Sequence, residues 1–73
     1  MSRFRSRAEV IRAVEALVIM HSLQRYDPVF LQSIRQSLRQ SPPHLVQFFY
    51  SLVATRVPDA IKVLLEIEEV DEE

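Results

Sequence analysis

Apolar residues recur along this chain with the three- and four-residue spacing of amphipathic α-helices. The first such segment covers residues 7–26. On a helical wheel Val10, Val14 and Leu17 share one side, and further apolar residues continue around the back. Only a narrow polar wedge remains around Glu15. A helix that is apolar over so much of its circumference is typical of a central bundle helix or of a helix shared with another chain.

Side chains and prolines mark where the helices start. Ser6 and Glu9 have the spacing of a capping box ahead of the first helix. Asp27 and Ser41 each precede a proline, which combines an N-cap oxygen with a residue suited to the first helical turn. A further proline, Pro58, opens the last segment. The predicted helices after the first therefore cover residues 28–40, 42–56 and 58–70.

The chain contains no glycine, which argues against tight β-turns of the primed types and favours helices joined by short turns. Together with the spacing of the prolines, this predicts an all-α fold. It is a small domain of four helices, with one longer N-terminal helix and three short helices that begin at prolines. We also expect it to assemble as a helical dimer.

The second predicted helix has an apolar stripe and a polar face. The stripe consists of Phe30, Leu31, Ile34 and Leu38. The polar face consists of Gln32, Arg35, Gln36 and Arg39. We expect this polar face to lie in water or against a polar partner.

The first and third helices carry more large apolar side chains than one small core requires. A domain of this size buries only ~60% of the surface that its unfolded chain exposes, so some of the apolar surface should remain in water. Large exposed patches mark contacts, and C2 homodimers are the commonest closed assembly. We therefore expect a contact surface for a second copy or a larger protein. It would comprise Val10, Val14, Leu17, Met20, Val46, Phe48, Phe49, Tyr50 and Val53.

Charge is divided between the two ends of a nearly neutral chain. The net charge is −1, but residues 1–56 carry eight arginines against three acids, while residues 57–73 carry one lysine against seven acids. The chain is long enough for one domain. We expect a basic flexible arm over residues 1–6, a helical domain over residues 7–67 and an acidic, frayed tail over residues 68–73.

The sequence shows no chemistry typical of an enzyme. His21 and His44 are the only histidines, no cysteine accompanies them, and their separation does not match a metal-binding motif. A phosphate-binding loop of the glycine-rich type is excluded by the absence of glycine. We expect a small regulatory or adaptor protein that is not an enzyme and has no cofactor, no metal and no small-molecule substrate.

Hydropathy predicts neither a membrane span nor a secretion signal. The longest uninterrupted apolar run, residues 16–20, is far shorter than the ~20 residues that cross a bilayer. No apolar stretch with a cleavage site follows the basic start of the chain. We therefore expect a cytoplasmic protein without a membrane partner.

A second hypothesis is a small dimeric regulator that binds DNA or RNA. Arginine binds phosphate with a fixed fork of donors, and Phe4 lies between arginines where it could stack on a base. The isoelectric point near 6.1 argues against this class, because a nucleic-acid-binding domain is usually basic. The contacts would be Arg3, Arg5, Arg7 and Arg12 in and after the arm, with Arg35 and Arg39 on the second helix.

Overall fold

The computed structural model describes residues 3–64, and all regular secondary structure in that part of the chain is α-helical. Three helices are described in full: α1 (Arg7–Leu23), α2 (Pro28–Gln40) and α3 (Pro43–Arg56). A fourth helix, α4, is described over residues 60–64. The predicted all-α fold with four helices and a longer first helix is confirmed. The predicted end of the fourth helix and the predicted acidic tail lie outside the described residues.

The predicted capping box forms at the start of α1. Ser6 is extended, and its hydroxyl accepts a hydrogen bond from the Glu9 N–H at 3.4 Å. The Glu9 carboxylate in turn accepts a hydrogen bond from the Arg5 N–H at 2.8 Å. The reciprocal bond is therefore made one residue before the cap, which holds the backbone of the preceding segment as well as the first turn.

The end of α1 comes three residues earlier than predicted. Gln24 adopts the left-handed conformation, with φ of 55° and ψ of 36°. Its N–H bonds to the His21 carbonyl, and the Arg25 N–H bonds to the Met20 carbonyl. These two bonds form a Schellman motif, in which glycine is the usual left-handed residue. No glycine marks this stop in the sequence.

The prolines begin α2 and α3 largely as predicted. The Asp27 carboxylate caps α2 by accepting a hydrogen bond from the Val29 N–H at 3.0 Å. Ser41 does not cap α3, because Pro42 occupies the N-cap position. The Ser41 hydroxyl instead accepts a hydrogen bond from the Phe4 N–H and donates one to the Ser37 carbonyl. Pro58 lies in a turn two residues before α4 rather than in its first turn.

The core lies mainly between α1 and α3, which pack against each other along their apolar sides. The remaining core residues come from the segment before α1, from α2, from α4 and, at Val57, from the link between α3 and α4. The buried apolar residues are Phe4, Val10, Val14, Leu17, Leu31, Ile34, Leu45, Phe49, Val53, Val57, Ala60 and Leu64.

Phe4 anchors the segment that precedes α1. Its side chain is buried, and its ring stacks on that of Phe49 with 6.0 Å between ring centroids. Phe49 also makes an edge contact with the ring of Tyr50 at 5.4 Å. Aromatic pairs of this kind add to the stabilisation that comes from burial. The expectation of a flexible arm is therefore corrected at Phe4, which belongs to the core.

Candidate functional site

The structure places most of the predicted contact residues inside the chain's own core. Five of them have no exposed surface: Val10, Val14, Leu17, Phe49 and Val53. The other four, Met20, Val46, Phe48 and Tyr50, are partly buried. The assignment of the first five to an outward surface is corrected, because α1 and α3 cover each other's most apolar sides. The breadth of the apolar stripes reflects this mutual burial.

A different apolar surface is exposed on the other side of α1. Within residues 3–64 the large apolar side chains that remain exposed are Ile11, Ile19, Leu23 and Val29, with exposed fractions of 39, 60, 64 and 76%. Three of these four residues belong to α1. We call the side of α1 that carries Ala8, Ile11, Arg12, Glu15, Ile19 and Leu23 the outer face; all six are exposed.

Sequence reasoning missed the outer face because Glu15 marked that side of α1 as polar. Ile11, Glu15 and Ile19 are four residues apart, so they follow one another along the same side of the helix. Two exposed isoleucines thus flank an acidic residue. The spacing could have been read from the sequence, but the wheel alone does not tell which side of an almost wholly apolar helix faces the core.

The predicted nucleic-acid contacts lie in different surroundings. Arg35 is 4% exposed, so its expected place on a solvated face of α2 is wrong. The Arg7 guanidinium lies over the Phe48 ring, 4.9 Å from its centroid, in a cation–π contact. Arg12 is on the outer face of α1, while Arg39 is exposed on α2. Phe4, expected as a stacking residue, is in the core.

Two of the predicted arginines line a pocket. Arg3 and Arg5 meet the first turn of α3 around a cavity of about 460 Å³. We call this cavity the basic pocket. Its lining is Arg3, Phe4, Arg5, Pro42, His44 and Leu45. No sequence pattern predicts that His44 and these arginines line one pocket, because Phe4 is held beside α3 by a tertiary contact.

The second histidine lies in a separate polar cluster. His21 Nδ1 is 2.7 Å from the Tyr26 hydroxyl, and His21 Nε2 is 4.0 Å from a carboxylate oxygen of Asp59. Burial, and secondarily the Asp59 charge, raises the pKa of Tyr26 above its ordinary value. The cluster joins the end of α1 to the turn before α4. The described residues contain no group of three potential metal ligands.

Comparison with known proteins identifies no relative of this chain. No protein-family model, no curated protein and no solved structure matches the chain. Among the helices of residues 3–64, none is both long and apolar enough to cross a membrane.

Proposed function

We propose that this chain is a non-enzymatic protein–protein interaction module that pairs with a second copy of itself through the outer face of α1. The observation that supports the proposal is the exposure of Ile11 and Ile19 on either side of Glu15. Exposed apolar side chains that line one face of a helix mark contact sites. The proposed setting is the cytoplasm, with the module acting as a small regulatory or adaptor protein.

Charge and size complementarity favour a second copy as the occupant of the outer face. Two α1 helices can pack antiparallel about a two-fold axis that crosses the outer face midway between Arg12 and Glu15. In this register Arg12 faces Glu15 of the other copy. Opposite charges that face each other across an interface set its register. A two-fold axis makes each such contact twice.

The same register also matches large side chains with small ones. Ile19 faces Ala8 of the other copy, and the two-fold axis makes this contact twice. Facing positions that alternate large and small residues let helices interdigitate at close approach. The antiparallel register therefore accounts for both apolar and charged side chains of the outer face.

The expected dimer is weak. One face of a 17-residue helix, ~25 Å long, buries less than the ~1,200 Å² typical of stable complexes. Glu15 also forms an ion pair with Arg56 of its own chain, at 3.4 Å. That pair is exposed, so it competes only modestly with an intermolecular contact. We expect dissociation constants in the micromolar range or weaker.

The test is sedimentation equilibrium over a concentration series from micromolar to millimolar. The wild-type mass should rise from 8.6 kDa towards twice that value. Ile19→Glu should keep the protein monomeric because it places a charge on the apolar part of the outer face. Val29→Glu is the matched control: Val29 is more exposed than Ile19 but lies on α2, so dimerisation should survive.

A charge exchange tests the register. Arg12→Glu and Glu15→Arg should each weaken the dimer, since each change brings like charges together. The double variant should recover most of the wild-type association because both cross-chain pairs are restored with reversed polarity. A monomer at every concentration would overturn the proposal of self-association. A dimer in which the double variant shows no recovery would overturn this register.

A further inference from the structure

We infer that the basic pocket binds a small molecule that carries a phosphate group beside an apolar body. This inference is independent of the proposed dimer, because no pocket residue belongs to the outer face of α1. It concerns a ligand class that the sequence did not indicate. The charge of the pocket, its anchoring and its size support this ligand class.

The charge of the pocket is of one sign. Arg3, Arg5 and His44 contribute basic side chains, and no acidic residue is among its lining residues. Within residues 3–64 the close contacts between basic and acidic side chains are His21–Asp59 and Arg56–Glu15, and neither involves a pocket arginine. Glu9 lies near Arg5 but accepts a hydrogen bond from its backbone N–H. Two arginines that line one pocket favour a phosphate, which accepts several charge-assisted hydrogen bonds.

The pocket is anchored on both sides before any ligand arrives. The Phe4 side chain is held in the core by its stack on Phe49, and the Phe4 N–H bonds to the Ser41 hydroxyl at 2.9 Å. The Arg5 N–H is held by Glu9 at the start of α1. The backbone that carries both arginines is thus fixed against the start of α3. Such preorganisation lowers the entropy cost of binding.

The size and the lining of the pocket call for more than a free phosphate ion. A cavity of about 460 Å³ lies in the range of small-molecule sites, ~300–1,000 Å³. Half of the lining residues, Phe4, Pro42 and Leu45, are apolar. A ligand with a phosphate at one end and an apolar body at the other fits this mixed lining, in which Pro42 is the most exposed apolar residue because Phe4 and Leu45 are largely buried. A mononucleotide has this chemistry.

A polynucleotide fits the same observations less well. A nucleic-acid strand needs basic residues along a continuous track. Outside the pocket, Arg35 is buried, Arg7 lies over Phe48 and Arg12 is on the outer face of α1. Of the arginines predicted to bind nucleic acid, only Arg3 and Arg5 line the pocket, which suits a single phosphate.

The experiment is an NMR titration of the full ¹⁵N-labelled chain with adenosine monophosphate, adenosine and inorganic phosphate in separate arms. We expect adenosine monophosphate to shift the amide signals of residues 3–5, 44 and 45 in a saturable manner. Inorganic phosphate should shift the same signals at higher concentration. Adenosine should bind at least tenfold more weakly than its monophosphate, because it lacks the charged group.

Charge variants locate the site. Arg3→Gln combined with Arg5→Gln should weaken adenosine monophosphate binding about tenfold or more, since two charge-assisted contacts are lost. Both side chains are exposed, so the fold should persist, and the unchanged signals of α2 would show it. Arg25→Gln removes one positive charge from a residue that does not line the pocket, and it should leave the affinity unchanged.

Three results would overturn the inference. The first is equal affinity for adenosine and adenosine monophosphate, which would show that the phosphate group does not contribute to binding. The second is an equal loss of affinity in Arg25→Gln, which would indicate nonspecific attraction to net charge. The third is much tighter binding of a ten-nucleotide single strand with a steep salt dependence, which would assign the arginines to nucleic-acid binding instead.

Discussion

Arg35 brings a permanent positive charge into the interior of the protein, next in sequence to the core residue Ile34. It is buried to the same degree as its apolar neighbour. Arginine is rarely buried to this extent, because the guanidinium loses hydration that its new contacts must replace. The aliphatic part of the side chain also packs as an apolar group. Arg35 therefore acts as a structural residue of α2.

Replacement of Arg35 tests this structural role. Arg35→Ala should lower the free energy of unfolding by about 2–4 kcal/mol, because both packing and the contacts of a buried charged group are lost. Arg39→Ala changes the same residue type one turn later on the same helix, where it is exposed, and should cost less than about 0.5 kcal/mol. Urea denaturation of the two variants measures the difference. Equal, small losses of stability in both variants would contradict a structural role for Arg35.

At the scale of the helices, the ends of α1 are specified by different kinds of signal. Its start depends on hydrogen bonds that Ser6 and Glu9 make with their side chains. Its end depends on the backbone conformation of Gln24, whose side chain has no part in the Schellman motif. A left-handed conformation costs about 1 kcal/mol or more in a residue that has a Cβ atom. Gln24 is thus a site of local strain.

The same substitution at two glutamines should change stability in opposite directions. Gln24→Gly should raise the free energy of unfolding by about 0.5–1 kcal/mol, because glycine adopts positive φ without steric cost. Gln36→Gly, at an exposed position inside α2, should lower it by about 1 kcal/mol. Thermal and urea unfolding of both variants provide the comparison. A loss of stability in Gln24→Gly would contradict the strained cap.

Helix starts were predictable from the sequence for a physical reason. Ser6 and Asp27 use their side-chain oxygens, so the residue type itself carries the signal. Ser41 shows the limit of the rule, since a tertiary bond from Phe4 uses the same hydroxyl. The end of α1 was not predictable because backbone hydrogen bonds make the stop and no glycine marks it.

At the scale of the whole molecule, the cluster of His21, Tyr26 and Asp59 joins three parts of the chain, the last of which is separated from the others by α2 and α3. His21 is in the last turn of α1, Tyr26 is in the link to α2, and Asp59 is in the turn before α4. Burial is the larger cause of the raised pKa of Tyr26, and the Asp59 charge is the smaller one. The folded protein therefore holds the phenol proton more tightly than the unfolded chain does.

The raised pKa of Tyr26 makes stability depend on pH in the alkaline range. The contribution is fully present below the ordinary value of 10.0 and is lost as pH rises through the folded-state pKa, since ionisation is easier in the unfolded chain. We expect the free energy of unfolding to fall more steeply above about pH 10 in the wild type than in Tyr26→Phe. Urea unfolding at a series of alkaline pH values measures both slopes. If the free energy of unfolding has the same pH dependence in the wild type and in Tyr26→Phe, the pKa of Tyr26 is not raised on folding.

The candidate sites were less predictable than the fold because they depend on which faces the chain covers itself. The periodicity of α1 identified Val10 and Val14 as members of a wide apolar face, but their burial depends on where α3 packs. The same packing leaves Ile19 outside. The basic pocket depends likewise on the anchored ring of Phe4, which no local pattern around Arg3 and Arg5 specifies.

The anchoring of Phe4 has a consequence for the order in which a growing chain can fold. The bond from its N–H to Ser41 spans 37 residues and encloses α1 and α2, and its stacking partner Phe49 comes later still. Synthesis runs from the N-terminus at about 5–20 residues per second, so Phe4 is made seconds before its partners. Its ring can dock only after α3 has left the ribosome. The first aromatic residue of the core is therefore among the last to be buried.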